Sequence, residues 1–334
     1  MFIDIEYIRM SNYKKLVLLF LICVILGFSY INSTVPRNTE SFLGLGSELD
    51  SVAIKPDTKI VGVRNTSLPL YEYCMFSSYN TAITGTRADL KMIVNVLQRG
   101  CRFIDLEIYS INGKPAVGYS SDIKNFNLEV DNTIPLRDAL NKISSTGFSA
   151  ESPNQNDPIF INLRVKTFDK GLYYKIALAI NDSVGPRLYT KKDTNRVTIK
   201  KPLSVFMGKI VILLDDAVEL PKNNSLLKYG ILELNKKGVN SYSAPMLTRE
   251  HITPPRIADN GKNTNVSEIK IVFPNEFENS DIKKFVREYG AQVVVNRFYK
   301  RDNNLTETEK IFSDVGSAFV PISQMLKYFK TANA

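Results

Sequence analysis

Short apolar runs recur along the chain as YEYCMF (71–76), RFIDLEI (102–108), PIFINLRV (158–165), KIVILL (209–214), IKIVF (269–273), QVVVNRF (292–298) and SAFVP (317–321). They are rich in β-branched residues and mostly continuous rather than alternating, which predicts parallel strands covered on both faces. Helical patterns separate several of them. In ADLKMIVNVLQRG, Leu90, Ile93, Val94 and Leu97 fall at i, i+3, i+4 and i+7, and Gly100 supplies the stop. PLRDALNKI (135–143), KGLYYKIALAI (170–180) and SDIKKFVREYG (280–290) repeat the arrangement, the first opening on Pro135 and the last closing on Gly290. Strand and helix alternating in this way predict an α/β fold, with a closed (β/α)8 TIM-type barrel favoured over an open doubly wound sheet. No glycine-rich phosphate loop follows any strand, which weighs against a nucleotide site.

The N-terminal pattern is different. Arg9, Lys14 and Lys15 precede LVLLFLICVILGFSYI (16–31), an uncharged run a little short of the ~20 residues that span a bilayer upright. It reads as a signal anchor or a signal peptide: Gly27 and Ser29 suit a cleavage site, whereas Phe28 and Tyr30 extend the apolar run and favour an uncleaved anchor. In both readings the basic flank, residues 1–15, stays cytosolic and the chain from about residue 32 enters the secretory lumen or the exterior. Residues 32–58, without sustained periodicity, read as a stalk or an arm wrapping the domain that occupies 59–330.

Composition changes this picture little. The 334 residues are 44% hydrophobic and 23% charged, ordinary for a folded chain, and the net charge of +9 is thinly spread. The densest basic stretch, Arg187 to Lys201, lacks the aromatic interleaving of a nucleic-acid binder and reads as a solvated loop, so no nucleic-acid partner is expected. Three cysteines exclude a disulfide framework. Cys23 lies in the apolar segment, leaving Cys74 and Cys101 as a pair or as two buried thiols. Sequons at Asn32, Asn65, Asn181, Asn223, Asn265 and Asn304 are compatible with lumenal exposure, although a chain rich in Asn, Ser and Thr produces several by chance.

Barrels of this type carry chemistry where strands end. Tyr79 and Asn80 follow the first run, and Asp105 and Glu107 lie two apart in the second, so both carboxylates project to one face. Two acids beside an asparagine amide suit a hard, oxygen-seeking cation, although acidic pairs are also common on surfaces and in salt bridges.

The order SSYNTAITG, a helix, GCRFIDLEIYSINGKPAVGYSS and then DPIFINLRVKT resembles the X region of phosphatidylinositol-specific phospholipase C in its eukaryotic-type form, over Leu70 to Thr167. A weaker similarity to the Y region runs through 206–322. The resemblance implies a distorted TIM barrel that cleaves a phosphodiester with two histidines and Ca2+. At the histidine positions this chain has Tyr79 and Tyr119, and its single histidine, His251 in TREHITPP, lies outside either motif and reads as a surface group. Asn80 matches a calcium ligand of the family, and Asp105 and Glu107 keep two carboxylates with their lengths exchanged. The fourth acid is replaced by Arg164. The inositol-phosphate lysine positions fall on Leu213 and Asp215. Arg164 is expected to reach Asp105 or Glu107 and take the cation's electrostatic role from within. A tyrosine titrates near pH 10 and makes a poor base at neutral pH, and a nearby Arg164 would lower that value somewhat.

The expectation is therefore a membrane-anchored, catalytically degenerate phospholipase C-like barrel that acts by binding a lipid headgroup, a glycan or a protein at its strand-end loops, with no cofactor. The alternative is an active phosphoric diester hydrolase with a rebuilt site, in which Tyr79, Asp105, Glu107 and Arg164 are the functional set and Ca2+ is the cofactor.

Overall fold

The computed structural model describes residues 58–120, 128–167, 169, 171–189, 200–215, 240–241, 269–274 and 277–331. Every described residue belongs to one compact unit that lies within residues 48–334. The apolar segment 16–31, the stalk up to 57, His251 and the sequons at Asn32, Asn223 and Asn265 lie outside the described residues. Among those described, no helix is long and apolar enough to cross a membrane.

The strands are β1 (Tyr73–Met75), β2 (Ser77–Ser78), β3 (Phe103–Ile111), β4 (Lys114–Gly118), β5 (Ile134–Pro135), β6 (Ile159–Lys166), β7 (Ile210–Asp215), β8 (Asn240–Ser241), β9 (Ile271–Val272), β10 (Val293–Val294) and β11 (Phe319–Pro321). The helices are α1 (Leu90–Gln98), α2 (Leu136–Gly147), α3 (Leu172–Val184), α4 (Ile282–Tyr289), α5 (Asn303–Val315) and α6 (Ile322–Thr331). Parallel pairing runs β9–β10–β1 on one side and β2–β3–β6–β7–β8 on the other. A parallel bridge between Ser78 and Asn296 joins the two, so the segment 73–78 is shared by both sheets. The result is a mixed α/β fold with a long, mainly parallel wall and helices between its strands.

Each predicted run becomes a strand, mostly shortened at its ends, and the four predicted helices form. The face buried by α1 differs from the expected one: Met92, Ile93, Val96 and Leu97 are buried, while Leu90 and Val94 are half-buried. Asp89 caps this helix by accepting from Lys91 N–H at 2.8 Å. Gly100 follows it at φ +91°, and a Cβ there would meet Ile60 Cγ2 at 2.8 Å, so the glycine serves both the backbone turn and the close approach of the N-terminal arm. The antiparallel additions were not anticipated. Asn112 and Gly113, at φ 50° and 68°, make the two-residue turn that folds β4 back on β3, β5 pairs with β4, and β11 pairs with β1.

At the end of the wall where the strands begin, Arg102 is fully buried. It donates to Gly147 O (2.9 Å), Ser152 Oγ (2.8 Å) and Asn154 O (2.5 Å), fixing the loop between α2 and β6. Burial lowers its pKa to about 10. Arg99 pairs with Glu309 on α5, which Arg301 also reaches at 3.2 Å. Cys74 and Cys101 are both buried and free. Of the basic stretch, Arg187 and Lys200 are exposed, as a solvated stretch requires, with Arg187 lying over Phe148 at 4.3 Å, while the apolar Leu188 and Tyr189 are buried.

Candidate functional site

The site grows from three strand ends. On β3, Asp105, Glu107 and Tyr109 alternate with Ile104, Leu106 and Ile108 and so share a face; on β6, Asn162 and Arg164 do the same. In register, Asp105 lies opposite Asn162 and Glu107 opposite Arg164. After β2 the chain turns sharply at Asn80, whose φ of 44° is left-handed, a conformation asparagine tolerates better than most residues. That turn brings Asn80 N–H to Asp105 Oδ2 (3.1 Å) and Thr81 N–H to Asp105 O (2.9 Å).

Arg164 sits at the centre of these groups. Its Nε donates to Asp105 Oδ1 (2.9 Å) and Oδ2 (3.2 Å), Nη2 to Asp105 Oδ2 (2.8 Å) and Asn80 Oδ1 (2.7 Å), and Nη1 to Glu107 Oε1. Arg164 is 1% exposed, Asn80 1%, and both carboxylates 0%. The two carboxylates accept further hydrogen bonds: Asn162 Nδ2 donates to Asp105 Oδ1 (2.8 Å), while Tyr109 Oη (3.1 Å) and Ser120 N–H (3.0 Å) donate to Glu107 Oε2. Burial by itself would lower the guanidinium pKa, but Asp105 and Glu107 outweigh it and hold Arg164 well above its ordinary value. The cation is permanent at any physiological pH.

The cluster faces the interior of the wall. The Arg164 guanidinium lies 5.4 Å from the ring of Phe273, which follows β9, a strand that is not β6's neighbour. Tyr79 closes the arrangement. Its ring lies 4.7 Å from Arg164 Cζ and 5.4 Å from Arg297 Cζ, edge-on to Phe273 at 5.8 Å. At 3% exposure, burial raises the Tyr79 pKa; Arg164 pulls in the other direction, as the sequence suggested, and is outweighed. Tyr119 is half-buried, 6.5 Å from the ring of Tyr299, and burial also raises its pKa. Neither phenol is poised as a base near neutral pH.

Calcium does not fit the donor set as folded. Asn80 Oδ1, both Asp105 oxygens and Glu107 Oε1 already accept from a guanidinium, Glu107 Oε2 accepts from Tyr109 and Ser120, and among the described residues no group of three or more His, Cys, Asp or Glu side chains that could hold a metal comes together. Leu213 is buried on β7 in register with Asn162, and Asp215 lies in register with Arg164. The sequence reading did not single out Asn162, Tyr109, Phe273, Arg297 or Tyr299. The first two were visible in the spacing, two residues from Arg164 and Glu107 on the same faces; the other three come from the C-terminal part, which only the fold brings near.

Residues 66–214 match the family model described as "Phosphatidylinositol-specific phospholipase C, X domain". No curated protein matches the chain. Among solved structures, PLC21 of S. officinalis is similar with a TM-score of 0.55 at 15% identity, covering 79% of this chain and 38% of that one. PLC21 of L. pealei is similar with a TM-score of 0.54 at 14% identity, covering 77% and 38%. The chain thus spans well under half the length of either protein, and at these identities the likeness concerns the fold. With the motifs, the family match and the fold in agreement, residues 66–214 belong to the X-domain family of phosphatidylinositol-specific phospholipase C.

Proposed function

We propose that this chain is a phospholipase C-like TIM-type barrel that has lost phosphodiester cleavage and acts by binding. Residues 16–31 anchor it, with the barrel on the lumenal or outer side of the membrane, and its ligand engages the loops where the strands end. The observation that carries this reading is Arg164: one fixed cation, buried and hydrogen-bonded to Asn80, Asp105 and Glu107 together, where a dissociable ion would otherwise have to sit. Supporting it, Tyr79 and Tyr119 stand where the family resemblance expects histidines, and burial raises both pKa values away from neutrality. Tyrosine fills roughly the volume of histidine and keeps a polar tip, so the shape of the site persists while its acid–base pair does not.

Hydrolysis of phosphatidylinositol and of a soluble phosphodiester by the full chain, with and without Ca2+, tests the proposal. The expected result is no turnover in any condition. Calcium-dependent turnover, or turnover abolished by Tyr79→Phe, would establish an enzyme with a rebuilt site and sink the binding reading.

A further inference from the structure

Three Asn-x-Ser/Thr sequons fall among the described residues, and the fold treats them differently. Asn65 is exposed in the arm that precedes β1. Its Oδ1 accepts from the N–H (3.1 Å) and the hydroxyl (2.9 Å) of Ser67, an Asx turn that brings the sequon hydroxyl onto the amide, while Nδ2 donates to none of the described groups. Asn181 is exposed on α3, but its Nδ2 contacts Asp182 Oδ1 at 3.5 Å and the Ser183 hydroxyl donates to Arg137 O at 3.2 Å. Asn304 is half-buried in the first turn of α5. Its Nδ2 donates to Asn279 O at 2.7 Å, and the Thr306 hydroxyl donates to Asp302 O at 3.0 Å.

We propose that Asn65 is an N-glycosylation site of this protein, used in preference to Asn181 and Asn304. The inference rests on the lumenal placement proposed above. In the reaction, Asn65 Nδ2 attacks the anomeric carbon of a lipid pyrophosphate-linked oligosaccharide. A C–N bond forms, the C–O bond to the pyrophosphate breaks, the lipid pyrophosphate leaves, and the amide nitrogen gives up one proton. At Asn65 the folded chain accommodates the product without losing a hydrogen bond of the amide nitrogen. At Asn304 the sugar would occupy the nitrogen that holds Asn279, the residue that in turn receives Arg297 N–H at 2.6 Å.

The position of Asn65 also bears on function. The arm is fixed to the beginnings of strands: Ser204 N–H, ahead of β7, donates to Thr66 O (2.9 Å), Val63 N–H donates to Asp157 Oδ1 (2.9 Å) ahead of β6, and Tyr73 Oη, at the start of β1, donates to Asn65 O (2.8 Å). Arg164 lies near the other end of β6. A glycan on Asn65 therefore leaves the strand-end loops open to a ligand.

The test uses the full chain in a glycosylating cell in two forms, as it stands and preceded by a cleavable signal sequence. Enzymatic removal of glycans in heavy-oxygen water marks each formerly glycosylated asparagine for mass spectrometry. In the signal-preceded form Asn65 is expected to be the most fully marked and Asn304 unmarked. Asn65→Gln and Ser67→Ala should each remove the mass of one glycan, and Ser67→Thr should keep it. Asn65 unmarked, or Asn304 marked to the same extent, overturns the proposal. A chain glycosylated at Asn65 only when the signal sequence precedes it would sink the lumenal placement and uphold the site.

Discussion

A guanidinium that makes five hydrogen bonds to three buried side chains is hard to replace. Arg164→Met would leave Asp105 and Glu107 buried without a counter-charge, and breaking a buried pair from one side costs about 3–5 kcal/mol. Equilibrium unfolding in denaturant should show that loss. Arg164→Lys should not rescue it, because an ammonium on a flexible stem cannot span three acceptors in one plane. Adding Asp105→Asn and Glu107→Gln to Arg164→Met should recover part of it, since no uncompensated charge then remains. A single variant as stable as the parent would mean that the cluster is not the electrostatic unit described here. The buried phenols predict a second behaviour. Burial raises the pKa of Tyr79, Tyr109 and Tyr299 above the ordinary 10. Their contribution to stability is complete below pH 10, the unfolded-state value, and falls as the pH climbs from 10 toward the raised native values, because only the unfolded chain releases those protons. Melting temperature against pH should therefore be insensitive to these groups near neutrality and drop steeply on the alkaline side, less steeply in Tyr79→Phe.

At the level of elements, short connections carry much of the arrangement. Gly100→Ala puts a Cβ 2.8 Å from Ile60 at a positive φ, so both the turn and the arm must shift. A loss of at least about 1 kcal/mol in unfolding free energy is expected, with protease sensitivity appearing near residue 60. Asp302 accepts from Leu305 N–H (2.9 Å) as the cap of α5 and from Asn279 N–H (2.8 Å) at the end of the loop after β9. Asp302→Ala should therefore exceed the usual cost of a lost cap, about 1 kcal/mol. The sequence was informative where one period dominates, as in the four helices and the continuous apolar runs. Where two signals overlap, both hold. RFIDLEI is buried on both faces, as its apolar character predicts, and Asp105, Glu107 and Tyr109 alternate with Ile104, Leu106 and Ile108, so the polar side chains share one face. The Asn112–Gly113 dipeptide was a hairpin signal lying in plain view within IYSINGKPAV. Helices α5 and α6 and the partners Phe273 and Arg297 were not legible because their role depends on contacts distant in sequence.

The molecule as a whole is not divisible at the border of its X domain. Residues 66–214 supply Asn80, Asp105, Glu107 and Arg164, but the faces of Tyr79 and Arg164 are covered by Phe273 and Arg297, and β1 is held between β10 and β11. A fragment ending at residue 215 would expose both flanks of β1 and should lack a cooperative unfolding transition; a fragment that unfolds cooperatively would show the site to be self-sufficient. The central claim, that Arg164 holds the place of a bound cation, is met most directly by the melting temperature of the full chain with and without Ca2+. The account expects no shift, because Asn80, Asp105 and Glu107 each already accept from the guanidinium and the other Glu107 oxygen accepts from Tyr109 and Ser120. A calcium-dependent rise that disappears in Asp105→Asn would mean that the ion displaces Arg164, and would contradict it.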